Sequence, residues 1–277
     1  MYDKIEKLRG SVIQHGNSSR RIYLMSLDTD GLPCLIDDLE ALAERNGYTK
    51  IFAKVPAAEA KLFLNRGYDE EARIKGLFKG VEDGLFLGRF LSEERKKEED
   101  KDLLDRIIRE ALSRKGDPVK GEDLPCPVRA GLADLEDLSE LYSRVFDSYP
   151  FPIFEKEYLR KTMESHIDYY IIRDKGDIIG ASSAEKDPEK LSAEMTDFAT
   201  LPACRGRGIA GTLLSEMEKD IREKGYRTAY TIARACSWGM NITFGRRGYH
   251  YGGTLIKNTN IAGSIESMNV WYRTLGT

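Results

Sequence analysis

Cysteine and histidine are scarce in this chain, and their scarcity excludes most metal chemistry. The four cysteines, Cys34, Cys126, Cys204 and Cys236, lie far apart without C-x-x-C spacing, and His15, His166 and His250 form no ligand pair with one another or with them. Reduced thiols in a cytoplasmic protein without a metal are therefore expected. Long apolar runs are also missing. No stretch approaches the ~20 residues of a bilayer-spanning helix, and the opening MYDKIEKLRG carries no secretory h-region. An excess of one charge sign is absent too: a formal net charge of -3 offers no broad basic surface, so neither nucleic acid nor membrane is an expected partner.

What is present is a charged, globular composition, 32% charged and 41% hydrophobic over 277 residues, long enough for two modest domains. The most informative stretch reads SAEMTDFATLPACRGRGIAGTLL, from Ser192 to Leu214. An alternating strand runs through a Pro-containing turn into a glycine-rich, doubly basic loop and then a helix. Such a helix start offers free backbone N–H groups, the positive end of the helix dipole and two Arg side chains to one anion. A pyrophosphate fits that description. Gly206 and Gly208 allow close approach and a positive φ, and the following helix carries Ile209, Leu213, Leu214, Met217 and Ile221 on one face.

The pattern elsewhere divides the chain into three parts. Residues 1–92 read as an α/β domain, with strands at RRIYLMSL and KIFAKVP, helices at 32–46 and around AAEAKLFLNRGY, and strands at ARIKGLF and GLFLGRF. Residues 93–126 read as a helix with a solvated, fully charged start (EERKKEEDKD) and a Gly/Pro-punctuated linker. Residues 127–277 read as helix pair, strand meander, the loop-bearing crossover and a closing hairpin. KIFAKVP…FLNRGYDEEARIKG parallels TAYTIAR…TFGRRGYHYGGTLIK, so the first domain is expected to be a degenerate half of the second domain's fold. It has no RGRG loop. Packing, or closure of a substrate site, is its expected task.

The spacing Arg205-x-x-Gly208-x-Ala210 resembles the acetyl-CoA signature of the GNAT acetyltransferases, (Q/R)-x-x-G-x-(G/A). The resemblance implies an α/β (α+β) GNAT fold on a mixed, mostly antiparallel sheet, with acetyl-CoA as cosubstrate. It further implies that the backbone of Phe198, Ala199, Thr200 and Leu201 pairs with the pantetheine arm. Arg205, Gly206, Arg207, Gly208, Ile209, Ala210, Gly211 and Thr212 would hold the pyrophosphate. Asn241 is expected to reach the pantetheine arm as well.

Attack on a thioester needs a neutral amine, so a base must take a proton. Glu194 stands where histone-type members of the family carry their glutamate base, and Asp197 is the second candidate; a bulge in the strand would decide which faces the cleft. The family's proton-donating Tyr is replaced by Phe244, which leaves Tyr249, Tyr251, a water or unassisted departure of the thiolate.

The tail GGTLIKNTNIAGSIESMNVWY, together with the two-domain layout, resembles the β-lysine N-acetyltransferases of methanogens and some bacteria, whose product is the compatible solute Nε-acetyl-β-lysine. That implies a small amine acceptor, for whose ammonium groups Glu185, Asp187, Asp197 and Glu266 are candidate partners; the aromatic-rich run Tyr142 to Phe154 could form a groove wall or a lid and is read as a lid. A homodimer stays open as the assembly. The competing expectations are another acceptor amine (protein lysine, polyamine or antibiotic) and a CoA-binding regulatory protein without catalysis.

Overall fold

The computed structural model describes residues 3–118 and 124–276. Part of the linker expected within 93–126 thus lies outside the described residues. The first half of the chain runs β1 (Lys4–Leu8), β2 (Ser11–Gly16), β3 (Arg21–Ser26), α1 (Cys34–Asn46), β4 (Lys50–Pro56), α2 (Ala60–Leu64), β5 (Asp69–Phe78) and β6 (Glu82–Phe90). Two helices, α3 (Glu93–Lys96) and α4 (Lys101–Ser113), follow. The second half runs β7 (Val128–Arg129), α5 (Leu135–Val145), α6 (Lys156–Met163), β8 (Ile167–Asp174), β9 (Asp177–Asp187), β10 (Ser192–Thr200), α7 (Ile209–Glu223), β11 (Thr228–Arg234), α8 (Trp238–Arg246), β12 (His250–Ile261) and β13 (Ser264–Thr274).

All strands join one 13-stranded sheet in the order β1-β2-β3-β4-β6-β5-β12-β13-β11-β10-β9-β8-β7. Read outward from the seam between β5 and β12, the six strands of the first half match the first six of the second, and β7 at the far edge has no counterpart. Each half has a parallel pair, β3–β4 and β10–β11, bridged by a crossover helix, α1 and α7; the neighbouring pairs are antiparallel. The likeness is thus wider than the half-fold expected, because the hairpin β1–β2, hidden in the charged KIEKL and the polar SVIQHG, matches β8–β9.

The first half lacks counterparts of α5 and α6, which cover one sheet face of the second half through Leu135, Leu138, Tyr142 and Leu159. Its central strands β3 and β4 alternate. In β3 and β4, Ile22, Leu24, Ile51, Ala53 and Val55 pack on α1, while Tyr23 and Phe52 point the other way. An apolar face without helices must find another cover. It finds the second half: Tyr23, Phe52 and Phe86 join Tyr230, Met268 and Val270 in one cluster, with Phe86 and Tyr230 ring centroids 6.4 Å apart.

At the seam the strands approach closely where Gly253 faces Ala72. Beside it the buried Lys50 ammonium donates to Glu71 at 2.9 Å and to the Ile256 carbonyl at 2.7 Å, and the Ile256 N–H donates to the same carboxylate at 2.7 Å. The charged run after β6 is not all solvated. Arg95 is buried and donates to the carbonyls of Lys257 and Ser19 and to the Thr49 hydroxyl, because α3 lies across the seam.

A Cβ at Gly253 (φ +141) would lie 2.2 Å from the Glu71 carbonyl oxygen, whereas one at Gly263 (φ +84), in the β12–β13 turn, meets nothing within 4 Å. Gly253→Ala is therefore expected to cost on the order of 3 kcal/mol in urea unfolding, and Gly263→Ala about 1 kcal/mol, its backbone strain alone. Equal losses for the two would mean that close approach at the seam contributes nothing.

Candidate active site

The parallel pair β10–β11 is joined only from Ser192 to Glu194, facing Thr228 to Tyr230; beyond that point the two strands diverge. In the same stretch the register of β10 against β9 slips between Thr196 and Ala199, and Asp197 takes a positive φ of 54°. This is a bulge. It matters because Glu194 and Asp197, three apart, would face opposite sides of a regular strand. With the bulge both line one cavity of about 1250 Å³, while Ala193, Met195 and Ala199 stay in the core. Sequence reading posed a choice between the two carboxylates, and the backbone presents both.

Glu194 is half-buried, open only toward the cavity. Burial, and then the Glu185 carboxylate directly opposite on β9, push it up to about 7, with Lys54 and Tyr230 pulling the other way. Asp197 is more committed. One oxygen accepts from the Tyr149 hydroxyl and the other from the Ser183 hydroxyl, both at 2.5 Å. Burial raises its pKa, and those two donors partly offset the rise. Through Tyr149 it also ties the aromatic run after α5 to β10; Phe146, Tyr149 and Phe151 from this run wall the cavity.

At the other end of the cavity lies the start of α7. Gly206 and Gly208 have φ of 82° and 85°, and Gly208 is the N-cap, with no side chain to satisfy the helix. The first helical bond runs from the Thr212 N–H to the Gly208 carbonyl at 3.0 Å, so the N–H groups of Ile209, Ala210 and Gly211 precede it. A Cβ at Gly206 would enter open space. These features fit a pyrophosphate: a cradle without side chains, three leading N–H groups, a helix dipole and the cavity-lining Arg205.

Several expected site residues sit elsewhere. Tyr249 is 1% exposed, packed edge-on against Phe244 at 5.0 Å, and away from the cavity, so it is not placed to protonate a thiolate. Asn241 is fully buried: its NH2 donates to the carbonyls of Arg234, Ala235 and Ser237, and its Oδ1 accepts from Asn269 and Trp271, leaving nothing for pantetheine. Glu266 is held by Arg234 through two bonds of 2.6 and 2.7 Å and does not line the cavity; Asp187 is likewise paired, with Lys190. Arg207 turns to Asp174 at 3.6 Å, and Thr212 Oγ1 donates back to Gly208. Ala199 and Leu201 turn their side chains into the core; Phe198 and Thr200 line the cavity. The first half was expected to serve packing or to close a substrate site, but the residues it brings were not named from the sequence: Arg21, Tyr23, Phe52 and Lys54 all line the cavity. Their alternation with core residues was visible, but not what the open face would meet.

Splayed strands that lead into a side-chain-free helix start are the arrangement of an acyl-CoA-dependent acyltransferase, and residues 135–237 match the model of the Acetyltransferase (GNAT) family. The chain belongs to the GNAT acetyltransferases and transfers an acetyl group from acetyl-CoA to an amine. It is 38% identical over 276 residues, 98% of each chain, to the Beta-lysine N(6)-acetyltransferase of Methanococcus maripaludis. To the N-acetyltransferase YodP of Bacillus subtilis it is 32% identical, over 96% of both chains. To the Beta-lysine N(6)-acetyltransferase of Methanosarcina mazei it is 30% identical over 86% of this chain and 95% of that one. Among the described residues, no helix is long and apolar enough to cross a membrane, and no group of three or more His, Cys, Asp or Glu is arranged to hold a metal.

Gly208→Asp places bulk and negative charge where the pyrophosphate would sit. Calorimetry with acetyl-CoA is expected to show a loss of at least about 100-fold in affinity. Wild-type affinity in that variant would place the phosphates elsewhere.

Proposed function

We propose that the chain acetylates the terminal amine of β-lysine, with Glu194 as the base, in the cytoplasm where acetyl-CoA is at hand. The observation that carries the acceptor class is the gathering of Glu185, Glu194 and Asp197 on one wall of a cavity roofed by the other half of the chain. Three carboxylates favour a cationic amine, and the roof favours a small one over a protein surface. The similarity to two enzymes named for β-lysine, spanning nearly the whole chain, supports the particular amine.

Acetyl-CoA supplies the acyl group as a thioester. The chain's residues do the rest. Glu194, with its pKa near neutrality, accepts the proton that the ammonium must lose before attack, while Glu185 and Asp197 keep the amine in place electrostatically. The bulge at Asp197 and Phe198 leaves these residues outside the β9 ladder, so backbone N–H groups of β10 are available where negative charge develops on the acyl oxygen. Asp197, already bonded to two hydroxyls, acts as a positioning group rather than a base.

The raised pKa of Glu194 gives two pH signatures. Activity as kcat/KM should climb with pH on a limb centred near 7, and Glu194→Gln should lower kcat roughly 10²- to 10⁴-fold and remove that limb. A folded pKa above the ordinary 4.5 also means that the ionised group costs stability as pH rises through 7. Glu194→Gln is therefore expected to melt higher than wild type above pH 7 and equally below about pH 4.5. A fully active Glu194→Gln beside a dead Asp197→Asn would move the base to Asp197.

The acceptor is tested by thiol release with acetyl-CoA saturating. The kcat/KM for β-lysine is expected to exceed that for α-lysine, spermidine or a lysine peptide by roughly 5- to 150-fold, the effect of one buried charged partner left unmatched. Equal turnover of spermidine or the peptide would replace β-lysine with a general amine acceptor.

A further inference from the structure

We propose that Arg21, from the first half of the chain, is the anion anchor of the acceptor site: it takes the carboxylate of an amino-acid acceptor and so fixes which amine reaches Glu194. The proposal rests on the amino-acid reading above and goes beyond it by assigning a binding role to the half without a phosphate loop.

A buried guanidinium is costly unless it is paired, and Arg21 is 5% exposed. Among the described residues it makes no ion pair within 4 Å. Its Nη1 donates to the Asn258 carbonyl at 2.8 Å and to the Thr259 hydroxyl at 2.9 Å, while the Nε and Nη2 donors have no such partner among the described residues. It lines the cavity and stacks on the rings of Tyr23 and Phe52, with its central carbon 5.3 and 5.6 Å from their centroids. Stacking and two neutral acceptors fix the fork in place without neutralising it. The carboxylates whose charge reaches it, Asp3 and Glu71, are engaged elsewhere, Asp3 accepting from the Ser18 N–H. Lys50 and Arg95 are buried beside it, and the buried carboxylate among them, Glu71, is already held by Lys50. Burial lowers the Arg21 pKa to about 10, which leaves it charged at neutral pH.

The spacing suits a diamino acid. The Arg21 fork lies over the Tyr23 ring, 5.3 Å from its centroid, on one face of β3. Tyr23 borders Glu194, whose charge acts on its hydroxyl. An extended six-carbon diamino acid measures roughly 7 Å from carboxylate carbon to terminal nitrogen. A substrate with its carboxylate on the Arg21 fork thus brings its terminal amine to the acidic wall. Its second ammonium falls near Asn258, which lines the cavity and whose Oδ1 is buried with no hydrogen-bond partner among the described residues.

The test compares β-lysine with 1,4-diaminopentane, the same amine without the carboxylate, in wild type, Arg21→Gln, Arg21→Lys and Asn258→Asp. Arg21→Gln should lower kcat/KM for β-lysine roughly 100-fold, mostly through KM, and leave the diamine within about threefold. Acetyl-CoA affinity by calorimetry should not change. Arg21→Lys should recover part of the loss. Asn258→Asp, nearly the same shape, places a carboxylate beside both the fork and the second ammonium; its pull on the ammonium is common to β-lysine and the diamine, whereas its pairing with Arg21 acts against β-lysine alone, so the ratio of the two kcat/KM values should fall. Equal losses on both acceptors, or no loss on either, would overturn the anchor. If wild type instead acetylates another amino acid best and Arg21→Gln selectively weakens it, the anchor stands and the β-lysine reading falls. A wild-type preference for diamines that ignores Arg21 overturns the anchor.

Discussion

The seam between β5 and β12 is the constraint on which the rest of the molecule depends. Glu71 sits there with its carboxylate shared between the Lys50 ammonium and the Ile256 N–H, and Gly253 lets the two backbones close. Taking one partner from a buried pair of this kind costs about 3–5 kcal/mol, because the survivor keeps its desolvation penalty without its compensation. With the seam intact, the sheet runs unbroken from one half into the other, and the helix-free face of β3, β4 and β6 is carried over the mouth of the β10–β11 splay. Without it neither the aromatic cluster nor the acceptor end of the cavity would form.

The two halves have the same strand order and have been put to different use. In the second half the crossover helix α7 begins behind Gly206 and Gly208, with three N–H groups ahead of its first helical bond; in the first, α1 begins directly behind Pro33, with Asp37 in its first turn. The same topology therefore gives an anion cradle in one case and a plain packing helix in the other. What decides is a few residues at the helix start. The first half instead offers its open sheet face, where period-two alternation puts Arg21, Tyr23, Phe52 and Lys54 toward the cavity.

Charge is separated along that cavity. Carboxylates from β9 and β10 gather near the splay, with Lys54 among them, and Arg21, which makes no ion pair within 4 Å among the described residues, lies on β3. Like charges on adjacent strands, Glu185 opposite Glu194, would be destabilising on an open sheet face. Here the same repulsion, added to burial, holds a carboxyl near neutral pKa, which is what a proton acceptor requires.

Much of this was legible in the residues themselves. The order of most elements, the strand-loop-helix of Ser192 to Leu214 and its glycine-rich helix start follow from local pattern, because helix period, strand alternation and glycine's conformational freedom are properties of short segments. The internal likeness of KIFAKVP and TAYTIAR was legible too. The hairpin β1–β2 was not, since KIEKL is mostly exposed and gives no apolar signal. Asn241, Tyr249 and Glu266 looked functional by residue type and place in the chain. Only tertiary packing assigned them partners, respectively the Asn269–Trp271 pair, the core beside Phe244, and Arg234. The bulge that turns both Glu194 and Asp197 to one side depends on how β10 registers against β9, and the meeting of Arg21 with the acceptor end depends on a seam more than two hundred residues away in sequence. Sequence determined the elements and the phosphate loop because their causes are local. The tertiary structure decided which charges share a cavity, because burial and opposition across a sheet are properties of residues that the chain brings together only when folded.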